Sequence, residues 1–310
     1  MEKQFEKPAQ SSRGIEQEKS PEIKDRGKNV VIVLKILRHG ERTKEGELTD
    51  YGREVTRKRA QLSGLQADQF SAVKAIGSRA DAEPGKMGRS LETADIFAAE
   101  VDPQRRFTSR EMSPLSHKAL ITKPPYDHKE IYNSNLPGNF EELPDEEKAT
   151  AAKKAQAATV EHLHSLNNPE AKKFKKEMAG ALATVILSRV RMSSSLKSGY
   201  KALMPAGTHG PIPEFLLKEA LVRKFEDGEE IKGFEDTDEI GGPINPSESI
   251  EVLIRRDKNG ELQKIQVKFD DPERPRAKEM YLDLKTLVEL KAFYKKLHRD
   301  EKSKNTQEED

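Results

Sequence analysis

The stretch "VVIVLKILRHGER", residues 30–42, decides the fold. Its first eight residues are almost wholly apolar and rich in β-branched side chains, on odd and even positions alike. A strand with one wet face would alternate, so this run predicts a central parallel strand covered by helices on both faces. Arg38 and His39 then fall at the C-terminal end of that strand, the edge at which open α/β sheets bind ligands.

Working outward, "LTDYGREVTRKRAQLSGL" reads as a polar-faced helix, "FSAVKAIGS" as a second strand and "GRSLETADIFAAEV" as the next helix. "PDEEKATAAKKAQAATVEHLHSL" and "NPEAKKFKKEMAGALATVILSRV" predict two longer helices, the second with Asn168 as N-cap and Pro169 at its first turn. Phe174, Met178, Leu182 and Val185 recur at helical spacing and are expected in the core. "YKALMPAGTHG" predicts a strand that ends in a glycine-bracketed turn, which places His209 as His39 is placed. "ESIEVLIRRDKNGELQKIQVKF" predicts a C-terminal hairpin turning at Asn259 and Gly260.

The 310 residues are 34% hydrophobic and 35% charged, with 55 basic against 54 acidic side chains interleaved along the chain and a net charge of +1. That balance argues against a nucleic-acid binder, which concentrates basic charge on one face. The absence of cysteine excludes disulfides, thiolate metal sites and cysteine nucleophiles. No apolar run approaches the roughly 18 residues of a membrane span, so no membrane partner and a cytoplasmic location are expected. Residues 1–28 and 299–310 read as charged, unstructured tails around one domain, 29–298.

Two histidines at strand ends, each followed by glycine, fit phosphoryl transfer without a metal or other cofactor. Such a site must neutralise phosphate oxygens, offer an in-line nucleophile and protonate the leaving oxygen. Arginines suit the first task. A neutral imidazole, with an ordinary pKa near 6.5, suits the second. Gly40 and Gly210 would let the backbone approach the phosphate. His162 and His164 are two apart on a helix and so face different ways, and His128 and His298 lack partners at metal-ligand spacing.

"LRHGER" after an apolar strand, "LTDYG" into a helix, "GRSLETADIF" and "GTHGPIPEFL", in this order, resemble the histidine phosphatase superfamily, also called phosphoglycerate-mutase-like, across about residues 30–270. The resemblance implies a three-layer α/β/α sandwich around a mostly parallel sheet. It makes His39 the nucleophile that forms a phosphohistidine, Arg38 and Arg89 the phosphate grips and His209 the second histidine of the pocket. Arg89 stands in Arg-x-x-Glu-Thr-Ala, where the usual family form has Gln before Thr. Arg42 is either a further phosphate or substrate contact or a solvated surface arginine, and Arg79 is a further candidate for the pocket wall.

The mutase branch of that family carries its proton donor in a Leu-x-Glu setting, and "SPLSHKAL" here has His117 at that place. Glu111, His117, Asp127 and Glu130 are the candidate donors. In this family the pocket is capped by inserted material, and residues 113–200 are expected to supply it as a lid joined to two helices. Tyr126, Lys129, Tyr132 and Asn135 could read the rest of the substrate or pack within the loop. The expected activity is hydrolysis of a small-molecule or protein phosphomonoester. The alternatives are phosphoglycerate-mutase-type transfer and a catalytically weak phospho-ligand or partner-binding module.

Overall fold

The computed structural model describes residues 25–308 apart from 42, 44–46, 79–86, 105, 117–119 and 275–276. Residues 1–24 of the expected N-terminal tail, and Arg42, Arg79 and His117, therefore lie outside the described residues.

The strands are β1 (Val31–Arg38), β2 (Ala72–Val73), β3 (Ile76–Gly77), β4 (Arg110–Glu111), β5 (Lys201–Thr208), β6 (Leu221–Lys224), β7 (Glu230–Lys232), β8 (Ser249–Arg255), β9 (Ile265–Phe269) and β10 (Glu279–Leu282). The helices are α1 (Asp50–Leu62), α2 (Arg89–Val101), α3 (His128–Ser134), α4 (Asp145–Ser165), α5 (Pro169–Ser193), α6 (Ile212–Ala220) and α7 (Leu284–Glu308).

β1 is buried on both faces, which is why its apolar residues do not alternate. On one face Val33 and Leu37 pack with Ala60 of α1 and with Phe97 and Val101 of α2. On the other, Ile32, Leu34 and Ile36 join a larger core with Leu182 of α5, Phe215 of α6 and Leu287 of α7. The result is the three-layer α/β/α arrangement. Among the described residues no helix is long and apolar enough to cross a membrane.

The sheet runs β4-β3-β5-β1-β8-β9-β10-β6-β7, with β2 also paired to β5. Its first half is parallel, as expected: β1 pairs with β5 from Val31↔Lys201 to Arg38↔Thr208, and β5 continues to β3 and β4. Beyond β1 every pairing is antiparallel, from β8 through β9, β10 and β6 to β7, so the sheet as a whole is mixed. The hairpin β8/β9 turns where expected, with Gly260 at φ 85. β8 lies against the central strand, and β10 and α7 follow the hairpin.

The expected second strand, interrupted between residues 73 and 76, forms β2 and β3. α5 begins where predicted, with Asn168 Oδ1 accepting from Ala171 N–H at 2.8 Å. Its stripe of Phe174, Met178, Leu182 and Val185 lies in the core with the residues of β1 and β5. The segment expected as an irregular lid contains α3, which packs on α4. At the C-terminus, α7 runs to Glu308, so residues 299–308 extend a packed helix where the charge pattern predicts a tail.

Candidate functional site

The parallel register that ends at Arg38↔Thr208 sets His39 and His209 side by side beyond the strand ends, with His39 N–H donating to the Thr208 carbonyl at 2.9 Å. Their rings meet edge to face, 5.0 Å between centroids and 63° between planes. α2 brings Arg89 to the same edge. Thr93, one turn into α2, donates its hydroxyl to the Arg89 carbonyl at 2.8 Å and accepts from Gly40 N–H at 3.1 Å, so the first turn of α2 is hooked to the peptide after His39. The approach of α2 to β5 depends on Gly207, where an added Cβ would lie 1.6 Å from the Ser90 carbonyl oxygen.

Four chemically active side chains are thereby buried together: Arg38 at 2%, His209 at 3%, and His39 and Arg89 each at 8% exposure. The Nδ1 of His39 lies 2.8 Å from the Gly40 carbonyl oxygen. A carbonyl only accepts, so Nδ1 carries the proton and Nε2 keeps its lone pair. Burial pushes the His39 pKa well below 6.5, and the neighbouring His209 and Arg89 push the same way, with the Gly40 bond opposing and Arg38 adding to the depression. The ring is therefore neutral at pH 7. A neutral imidazole with a directed lone pair, beside two arginines and a second histidine, is equipped to bind a tetrahedral oxyanion and to attack its centre.

At Gly210 an added Cβ would lie 2.6 Å from the Arg38 Cζ. A Cβ at Gly40 would come within 3.1 Å of the Gly52 carbonyl oxygen and of Ser247 Oγ. Both glycines thus make room inside the site's own walls.

Of the proposed proton donors, Glu111 is an exposed residue at the end of β4, paired with Gly77 and separated from β1 by β3 and β5. It sits on the rim of the edge that carries the histidines. Asp127 accepts from Glu130 N–H at 3.1 Å and so caps α3. Tyr126 packs edge to face on His162, 5.9 Å between centroids, and burial raises its pKa to about 12. Asn135 folds back to donate to the Ile131 carbonyl at 2.9 Å. These loop residues are engaged in packing and capping. Among the described residues no group of three or more His, Asp or Glu could hold a metal ion.

Sequence reasoning missed Glu214 in the first turn of α6, which is fully buried and accepts from Ile244 N–H at 3.0 Å. Burial raises its pKa, with the Arg38 charge as the leading opposing influence. It stands within the quoted segment after His209, so an acid five residues beyond that histidine was the available signal. The contribution of residues 240–248, which lie across the end of β1, carries no motif.

No family model and no curated protein matches the chain. Among solved structures it is similar to a phosphoglycerate mutase from Bacillus anthracis, at 14% identity over 76% of this chain and 92% of that one, TM-score 0.36. It is similar to a mycobacterial glucosyl-3-phosphoglycerate phosphatase, at 13% identity over 77% and 97%, TM-score 0.35. It is also similar to a phytase from Klebsiella, at 11% identity over 86% and 94%, TM-score 0.41.

Proposed function

We propose that this chain is a phosphatase of the histidine phosphatase type, which hydrolyses a phosphomonoester through a phosphohistidine on His39. The observation that carries the reading is the pairing of His39 Nδ1 with the Gly40 carbonyl, which aims a neutral Nε2 into a site lined by Arg38, Arg89 and His209.

In the first step the phosphoryl oxygens lie against the two guanidinium groups and His209. His39 Nε2 attacks phosphorus, the P–Nε2 bond forms and the ester P–O bond breaks. The departing oxygen takes a proton from a donor, for which Glu111 and His117 are the residues proposed. In the second step that donor, now a base, takes a proton from water. The water oxygen bonds to phosphorus, the P–Nε2 bond breaks, and inorganic phosphate leaves with His39 neutral again. The arginines stabilise the equatorial charge of both transition states, and their burial strengthens that effect relative to water. Glu214, buried and accepting from Ile244 N–H, is proposed to act through the Arg38 charge.

The substrate proposed is a small-molecule or protein phosphomonoester, with α3, α4 and the loop before them as the lid over it. The test is hydrolysis of a chromogenic phosphomonoester from about pH 4 to about pH 8 with chelator present. Wild type is expected to turn over and His39→Ala to be inactive with an unchanged circular-dichroism spectrum. Equal turnover by His39→Ala would remove His39 as nucleophile, and loss of wild-type activity to the chelator would replace the metal-independent scheme.

A further inference from the structure

Residues 240–248 form a strap between a 3-10 turn (Thr237–Ile240) and β8, and it grips Arg38 at three points. Arg38 N–H donates to the Glu248 carbonyl at 3.0 Å, and Ser247 N–H donates to the Arg38 carbonyl at 3.1 Å. Arg38 Nη1 donates to the Ile244 carbonyl. The strap thus holds both the Arg38 backbone and, through the Ile244 carbonyl, its guanidinium.

The strap is in turn held from behind by Arg274, which is 4% exposed. Its Nη1 donates to the Ile240 and Gly242 carbonyls at 2.6 and 2.7 Å, and its Nη2 to the Pro243 carbonyl and to Glu248 Oε2, both at 2.9 Å. Its Nε donates to Glu248 Oε1. Glu248, fully buried, also accepts from Asn245 N–H at 2.8 Å through Oε2. One planar guanidinium thus gathers the carbonyls on the near side of Ile244, and the carboxylate paired with it gathers the peptide on the far side.

A buried ion pair is a poor stabiliser, since desolvation offsets most of its attraction. A rigid fork is nonetheless the group that can fix several carbonyls in one geometry, which a lysine cannot do. Ser247, beside the grip, adopts a left-handed backbone with φ 60, a conformation that persists only where its surroundings enforce it.

We infer that Arg274 and Glu248 are positioning residues of the phosphate site: their pairing curves the strap so that the Ile244 carbonyl holds the Arg38 guanidinium toward the bound phosphoryl group. This inference rests on the reading of the His39 site as a phosphate site.

The experiment uses the full chain and compares wild type with Arg274→Lys, Glu248→Gln and Arg256→Lys. Arg256 is the control, because its guanidinium donates to Ser193 Oγ at 2.8 Å and the Gly260 carbonyl at 2.7 Å at the opposite end of the sheet. Orthovanadate binding is measured by calorimetry and phosphomonoester turnover by kinetics, at a temperature well below each variant's unfolding midpoint. Arg274→Lys and Glu248→Gln are expected to weaken vanadate binding about tenfold or more and to lower kcat/KM in parallel, whereas Arg256→Lys lowers the midpoint and leaves affinity alone. Affinity within about twofold of wild type in a folded Arg274→Lys protein, or an equal loss in Arg256→Lys, would make the pair merely structural and overturn the inference. If Arg274→Lys does not fold, Glu248→Gln decides on the same criterion. A wild type that binds neither vanadate nor orthophosphate retires the phosphate reading itself, an outcome distinct from a wild type that binds and variants that bind equally.

Discussion

His39 owes its tautomer to one carbonyl and its charge state to burial, and both have consequences in solution. Because its pKa is held below 6.5, Nε2 keeps its lone pair on the acid side of that value, and the acid limb of kcat/KM is expected below pH 6.5, read from a pH–rate profile. The same depression couples to stability. The unfolded chain binds the proton near pH 6.5 and the folded chain only lower, so stability is full above 6.5 and falls as the pH drops through that window. His39→Gln is expected to flatten that part of the Tm-against-pH curve, and an unchanged slope would assign the loss to other groups. On the proposed reading Arg89 is a charge-assisted partner of the phosphate, so Arg89→Ala is expected to weaken vanadate binding by about 2 kcal/mol, measured by calorimetry. Gly210→Ala places a methyl 2.6 Å from the Arg38 Cζ, and displacing that guanidinium is expected to lower kcat/KM about tenfold to a hundredfold in steady-state assays. At this scale Arg38, His39, Arg89 and His209 were legible because each sits at a strand end or a helix start, in a recognisable order. Glu214, Glu248 and Arg274 were not, because their role depends on which carbonyls the folded chain brings to them.

Among the elements, α5 shows how local signals and tertiary demand agree. Its N-cap, its proline at the first turn and its apolar stripe were all readable, and the stripe is what draws it into the core. Leu182→Ala, at a fully buried position, is expected to cost about 2 to 5 kcal/mol, whereas Asn168→Ala, which removes only the cap, costs about 1 kcal/mol. Denaturant unfolding checks both. The split between β2 and β3 and the helical continuation of α7 past residue 299 escaped sequence reading for one reason. Short strands and solvated helical turns carry little apolar periodicity, so pairing with β5 and propagation from a packed helix decide them instead.

For the whole molecule, a net charge of +1 gives little overall attraction for an anion, so on the proposed reading binding draws on the charges buried at the end of β1. Vanadate affinity is accordingly expected to change less than about threefold between about 0.05 M and about 0.5 M salt, since buried charges are weakly screened. A steep salt dependence in the same titration would place the binding charge on the surface. The parallel half of the sheet follows from an apolar run with no alternation. Of the antiparallel half only the β8/β9 hairpin follows from its turn, since the pairings of β8 with β1 and of β10 with β6 join segments distant in the chain. The sequence by itself determined that β1 is covered on both faces and ends in Arg38 and His39, because apolar pattern and residue chemistry are local properties. Only the tertiary structure decided that β5 lies in register beside it, that Thr93 ties α2 to Gly40, and that the strap of residues 240–248 aims Arg38. Those facts are distances between segments far apart in the chain, and they exist only once packing has chosen which backbone groups meet.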